Sequence, residues 1–116
     1  MTPSLATLQR ALCVRHGATF TPPTAEQMCA ISDGVYEGDP VQGVRYEAPA
    51  HMSGWYLTTE RYSGDHTTLL VEHIAHVVER RPDVAVFLAL PPGYRFDTTG
   101  GDAWEDTAGD PERKSR

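Results

Sequence analysis

Basic residues are scarce where acids are plentiful. Between Gly17 and Glu60 the chain carries Glu26, Asp33, Glu37, Asp39, Glu47 and Glu60 against Arg45 alone, and the formal net charge over all 116 residues is −6. Affinity for nucleic acid comes largely from Lys and Arg neutralising phosphates, so this balance argues against direct nucleic-acid binding. A basic protein partner fits better, because complementary potentials steer association; a solvated acidic surface that keeps the protein in solution is the plainer account of the same residues. No apolar run approaches the length that crosses a bilayer, and the N-terminus has neither a basic segment leading into an apolar one nor a small-residue cleavage site. The expected location is the cytoplasm, away from any membrane. Cysteine is rare as well. Cys13 and Cys29 sit in apolar segments, where reduced, buried thiols are expected.

Motifs that carry chemistry are equally thin. Ser53 precedes Gly54 without the Gly-x-Ser-x-Gly elbow of a hydrolase nucleophile, neither cysteine has the local cues of an activated thiolate, and Gly100-Gly101 is too short for a phosphate-binding loop. His73 and His76 lie three apart, a spacing that places two imidazoles on one metal. Glu72, His66 or His51 would have to supply the third ligand, and the chain has no His-Glu-x-x-His and no Cys-x-x-Cys. Asp97, Asp102, Glu105 and Asp106 gather carboxylates at one expected hairpin, an ordinary composition for an exposed turn and also what an acid–base pair would need. The reading is of a protein with no catalytic residues, no cofactor and no metal. A small metal-dependent hydrolase built on His73 and His76 is the alternative.

What is present describes one globular domain, at 40% hydrophobic and 22% charged residues. Leu5, Leu8, Ala11 and Leu12 recur at helical spacing between a capping Ser4 and Gly17, predicting a helix over 4–16 with that stripe buried. Thr21-Pro22-Pro23-Thr24 breaks the chain. Short strands are expected over 27–32 and 41–46, and a firmer one over 54–59, where Trp55 and Leu57 fall on one face and Tyr56 and Thr58 on the other. Asp65 or Thr67 caps a second long helix reaching Arg80 or Arg81, with Leu70, Ile74, Val77 and Val78 as its buried face. Pro82 starts a short helical segment that runs into the apolar stretch Val84 to Leu90; Pro91-Pro92-Gly93 ends it, and 94–96 pairs with 103–105 as a hairpin. Apolar content collapses after Asp106, so 1–106 reads as the domain and 107–116 as a disordered tail. Without a regular βαβ alternation the fold class is α+β: a mainly antiparallel sheet with two long helices and a short helical segment packed on one face.

Three pieces stand out in this layout: Ser53-Gly54-Trp55-Tyr56, Leu88-Ala89-Leu90-Pro91-Pro92-Gly93-Tyr94-Arg95-Phe96-Asp97, and Asp102-Ala103-Trp104. With Phe20-Thr21-Pro22-Pro23 and Leu70-Val71-Glu72-His73, the chain resembles a family of small bacterial immunity proteins of polymorphic toxin systems, over about Leu12 to Asp106. The resemblance implies a non-enzymatic protein that binds a cognate toxin, the product of a neighbouring gene, and neutralises it by occluding its active site. Many toxin domains act on nucleic acids through basic clefts, which suits the acids here. Glu37, Asp39, Glu47 and Glu60, with Tyr56 and Trp104 as aromatic anchors, are the candidate partner-binding residues. Gly34 to Met52 departs most from the family's pattern and is expected to set partner choice, and His73 is assigned to packing. A non-inhibitory adaptor is a further reading. Self-association through an edge strand at the C-terminal hairpin also stays open, opposed by the acids nearby.

Overall fold

Ser4 and Gly17 bound the first helix, α1 (Leu5–His16), in a computed structural model that describes residues 3–106. The Ser4 hydroxyl accepts the Thr7 amide at 3.1 Å, and Gly17 turns the chain out at φ 65° while its amide bonds back to the last helical turn. The buried face of α1 is turned from the expected stripe. Gln9 and Cys13 are buried and Leu5 and Leu12 half-buried, whereas Leu8 is 42% exposed and Ala11 is exposed. The reason is polar: Gln9 Nε2 donates to the Ala85 carbonyl at 2.9 Å and Cys13 Sγ to that of Ala89 at 3.6 Å, so the helix packs on a segment that needs donors.

Six strands form one mixed sheet: β1 (Met28–Ile31), β2 (Gln42–Arg45), β3 (Met52–Thr58), β4 (Leu70–His73), β5 (Tyr94–Asp97) and β6 (Asp102–Glu105). Their order is β4-β1-β3-β2-β5-β6, and every neighbouring pair is antiparallel except β1 with β3. Two shorter helices follow β4: α2 (Ile74–Arg80) and α3 (Pro82–Ala85). Among the described residues no helix is long and apolar enough to cross a membrane. The expected tail, 107–116, lies outside the described residues.

The long helix expected from Asp65 or Thr67 to Arg81 divides into three pieces. Asp65 does cap, accepting the Thr67 amide at 3.0 Å, but what it caps is a 3-10 turn, His66–Thr68. The chain then extends as β4 against β1, with Ala30 opposite Val71 and Cys29 opposite Glu72, before α2 begins at Ile74. Tertiary pairing overrides the helical period here, because β1 offers an edge whose amides and carbonyls need partners. Leu70 is consequently 60% exposed, while Ile74 and Val77 enter the core as expected.

The stretch Val84 to Leu90 forms no strand. Its amides close short turns, Phe87 to Val84, Leu88 to Ala85 and Leu90 to Phe87, and its last carbonyls are satisfied from elsewhere. Trp55 Nε1 donates to Leu88 at 2.9 Å, the Thr21 amide to Ala89 at 2.7 Å, and Arg45 Nη1 to Leu90 at 2.8 Å. Arg81, at the junction of α2 and α3, does similar service for the loop after β1, donating to the Val35 and Asp39 carbonyls while pairing with the Asp83 carboxylate. These buried arginines and the indole bind irregular backbone to the sheet and to the helix junction where no ladder is available.

One core unites both layers. Cys13 from α1, Ile74 and Val77 from α2 and Val84 from α3 pack with Cys29, Ile31, Trp55, Leu57, Tyr94, Phe96 and Ala103 from the sheet, which places the helices on a single face. Phe96 stacks on Phe87 with ring centres 4.6 Å apart and meets Trp55 edge-on at 5.3 Å. Gly43 on β2 makes room for that ring, since a Cβ there would lie 2.1 Å from Phe96 Cε2. Gly43→Ala is therefore expected to lower stability by about 1–3 kcal/mol, read from the midpoint of urea unfolding.

Candidate protein-binding face

Side chains alternate across a strand, so the face opposite the helices is set by the pairing register. One row runs residue to residue through all six strands: Val71 opposite Ala30, Ala30 opposite Tyr56, Tyr56 opposite Val44, Val44 opposite Arg95, and Arg95 opposite Trp104. Val71 is 54%, Tyr56 36% and Trp104 46% exposed. Tyr46, just past β2, is also exposed and sets its ring edge-on to Tyr56 at 5.5 Å. Arg95 Nε donates to Asp106 Oδ2 at 2.6 Å. Beside this row a second one joins Thr58, Gln42, Asp97 and Asp102. Val71 and Tyr46 were not singled out from sequence. Their membership follows from strand partners far apart in the chain, a relation that alternation within one strand does not carry.

The candidate acids do not all join that face. Glu37 Oε1 accepts the Gly34 amide at 2.8 Å, and Asp39 takes both Arg61 Nε at 2.8 Å and Nη2 at 3.2 Å, which raises the Arg61 pKa. Both carboxylates thus hold the loop after β1 in shape. Glu47 and Glu60 are exposed, and the charge of Glu47 opposes the fall that burial imposes on the Arg45 pKa. Of the six residues expected to meet a partner, Tyr56 and Trp104 share a row, Glu37 and Asp39 share the loop after β1, and Glu47 and Glu60 stand in the segments that follow β2 and β3.

Most of the groups considered for chemistry are engaged in the fold. His76 Nδ1 lies 3.1 Å from Glu72 Oε1, and the Tyr36 hydroxyl donates to the same oxygen at 3.1 Å. The bond to His76, with help from Tyr36, holds the Glu72 carboxyl below its usual range, while burial and then Glu72 push the Tyr36 phenol up. His73, assigned to packing from the sequence, is exposed at the start of α2, its ring edge-on to His76 at 5.7 Å, because the chain here is an edge strand and not the middle of a helix. His66 stacks on Tyr62 instead. Among the described residues no group of three or more His, Cys, Asp or Glu side chains is placed to hold a metal ion. Ser53 Oγ donates to the Met28 carbonyl and accepts the Trp55 amide. Asp97 accepts the Thr99 amide and Asp102 that of Ala103, so the hairpin acids shape their own turn. An apolar cleft of about 320 Å³ between α1 and α2 is lined by Leu5, Pro22, Ile74, Val78 and Leu88 among others. Its polar lining group, Gln9, is already committed to Ala85.

Both cysteines are free and buried. Burial, and after it the Glu72 charge, pushes the Cys29 thiol up to about 12, and burial raises Cys13. A disulfide-exchange reagent at pH 8 is expected to label neither in the folded protein and both after denaturation; rapid labelling of the native state would contradict the burial.

These features define a small α+β domain whose buried polar side chains serve its irregular backbone and whose sheet leaves one aromatic-bearing face open. Residues 8–107 match the family model described as Imm33-like domain, and the chain belongs to that family, an immunity-protein-like one. A search of curated proteins finds no match, and neither does a search of solved structures.

Proposed function

We propose that this protein is a non-enzymatic immunity protein that binds one cognate bacterial toxin in the cytoplasm and neutralises it by covering its active site. The observation that carries this reading is the family match across residues 8–107, nearly the whole described chain. The charge balance supports it. A formal net charge of −6, with exposed Glu47 and Glu60, suits a basic surface such as a nucleic-acid-cleaving toxin presents, and would speed encounter with it. The six candidate residues remain the proposed contacts, although reversing Asp39 would also break its pair with Arg61. Glu47→Lys together with Glu60→Lys is the cleaner probe of charge.

The test is co-expression with the product of the gene immediately upstream, the expected toxin. A growth defect from that product alone, relieved by this protein, together with a complex that survives purification, is the expected result. A toxic product that neither binds this protein nor is relieved by it rules out the pairing. Retention of toxicity despite tight binding would instead point to the adaptor reading.

A further inference from the structure

We infer that the open face of the sheet, with Tyr46, Tyr56 and Trp104 as anchors, is the surface that docks the toxin, and that the matching toxin surface is basic, presenting arginine or lysine side chains to these rings. The inference rests on the immunity reading and adds the location and chemistry of the contact. Two observations point the same way, the pairing register and the charge around it. The row Val71, Ala30, Tyr56, Val44, Arg95 and Trp104 crosses all six strands as a band on the side the helices leave uncovered, with Val71, Tyr56 and Trp104 exposed and Ala30 buried between its larger neighbours. Large aromatics on a rigid sheet lose little freedom when buried and take guanidinium or ammonium groups against their ring faces.

Charge then selects among occupants. The one cation in the band, Arg95, is paired with Asp106, while Asp97 and Asp102 stand in the neighbouring row and Glu47 follows Tyr46. The face therefore carries exposed rings in a negative surround, complementary to a basic protein surface. A second copy seated face to face would set those acids against their equivalents, and a phosphate backbone would meet the same repulsion. The loop of Glu37 and Asp39 is not the anchor in this account, because its carboxylates are occupied by Gly34 and Arg61.

The experiment measures affinity for a catalytically inactivated product of that upstream gene, using wild type, Tyr56→Ala, Trp104→Ala and, as control, Val14→Ala, an 80% exposed apolar residue on α1. Each aromatic variant is expected to weaken binding by roughly 30-fold or more with its melting temperature little changed, and the control to bind within about threefold of wild type. Folded aromatic variants that bind like wild type would overturn the inference and leave the immunity reading standing. Wild type that binds no such product rules out that pairing, and this inference falls with it. A wild-type dimer that Trp104→Ala turns into a monomer, with toxin affinity unchanged, would assign the face to self-association and overturn the inference as well. Should an alanine variant fail to fold, fluorotryptophan labelling decides. The protein has two tryptophans, and toxin should shift the resonance of Trp104 while that of Trp55, 1% exposed and bonded to Leu88, stays in place; an unmoved Trp104 resonance in a saturated complex would refute the docking.

Discussion

Arg45→Met is expected to lower the unfolding free energy by about 3–5 kcal/mol, a large share of the 5–15 kcal/mol typical of a domain. Arg45 is 5% exposed, and its guanidinium donates to four backbone carbonyls: Ser53 at 2.8 Å, Thr21 at 2.6 Å, Leu88 at 3.3 Å and Leu90 at 2.8 Å. Methionine fills much of the same volume but donates nothing, so buried carbonyls from three separate segments lose a partner at once. Lysine keeps the charge on a single ammonium that does not copy the planar fork, and Arg45→Lys is expected to recover less than half of the loss. Urea unfolding followed by tryptophan fluorescence measures both. Stability of the methionine variant within about 0.5 kcal/mol of wild type would show that the carbonyls find water instead.

The second large effect is expected at Gly54. Its φ is 88°, and a Cβ there would sit 2.0 Å from the carbonyl oxygen of Tyr46. That carbonyl belongs to backbone held in place, since the Tyr46 amide donates to the Gly54 oxygen at 2.9 Å. Strain from the left-handed conformation and the overlap add, so Gly54→Ala should cost about 3–4 kcal/mol. Gly38→Ala separates the two contributions. Its φ is 95° but nothing lies within 4 Å of the added carbon, so about 1–2 kcal/mol is expected from conformation alone. Equal losses at the two positions would mean that the close approach at Tyr46 relaxes freely.

Local signals proved readable where the deciding contacts are local. Ser4 and Gly17 gave α1 its ends, and alternation placed Trp55 and Leu57 inward and Tyr56 outward on β3. The hairpin of β5 and β6 also forms where its turn residues put it. Two things escaped for one physical reason. The helix stripe on α1 was assigned by hydropathy, yet the position that faces inward is Gln9, because Ala85 offers a carbonyl 76 residues away. The segment before Ile74 had a helical period, yet β1 recruited it as a strand. In both cases the partner is distant in sequence, and so is the register that lines Val71, Tyr56, Arg95 and Trp104 across the sheet. The aromatic candidates were therefore visible one by one, but not as a surface.

The strand order also governs when the molecule is ready. β2 sits between β3 and β5, with Gln42 opposite Asp97, so a growing chain holds β2 with one bare edge until residues past 94 have left the ribosome. Arg45 meanwhile waits for acceptors as far along as Leu90. Pairings this remote put the domain among slow folders and expose an adhesive edge during the delay. Under the immunity reading, protection starts only after nearly the whole chain has been made and closed, so a cell that makes both proteins gains by translating this one ahead of the toxin.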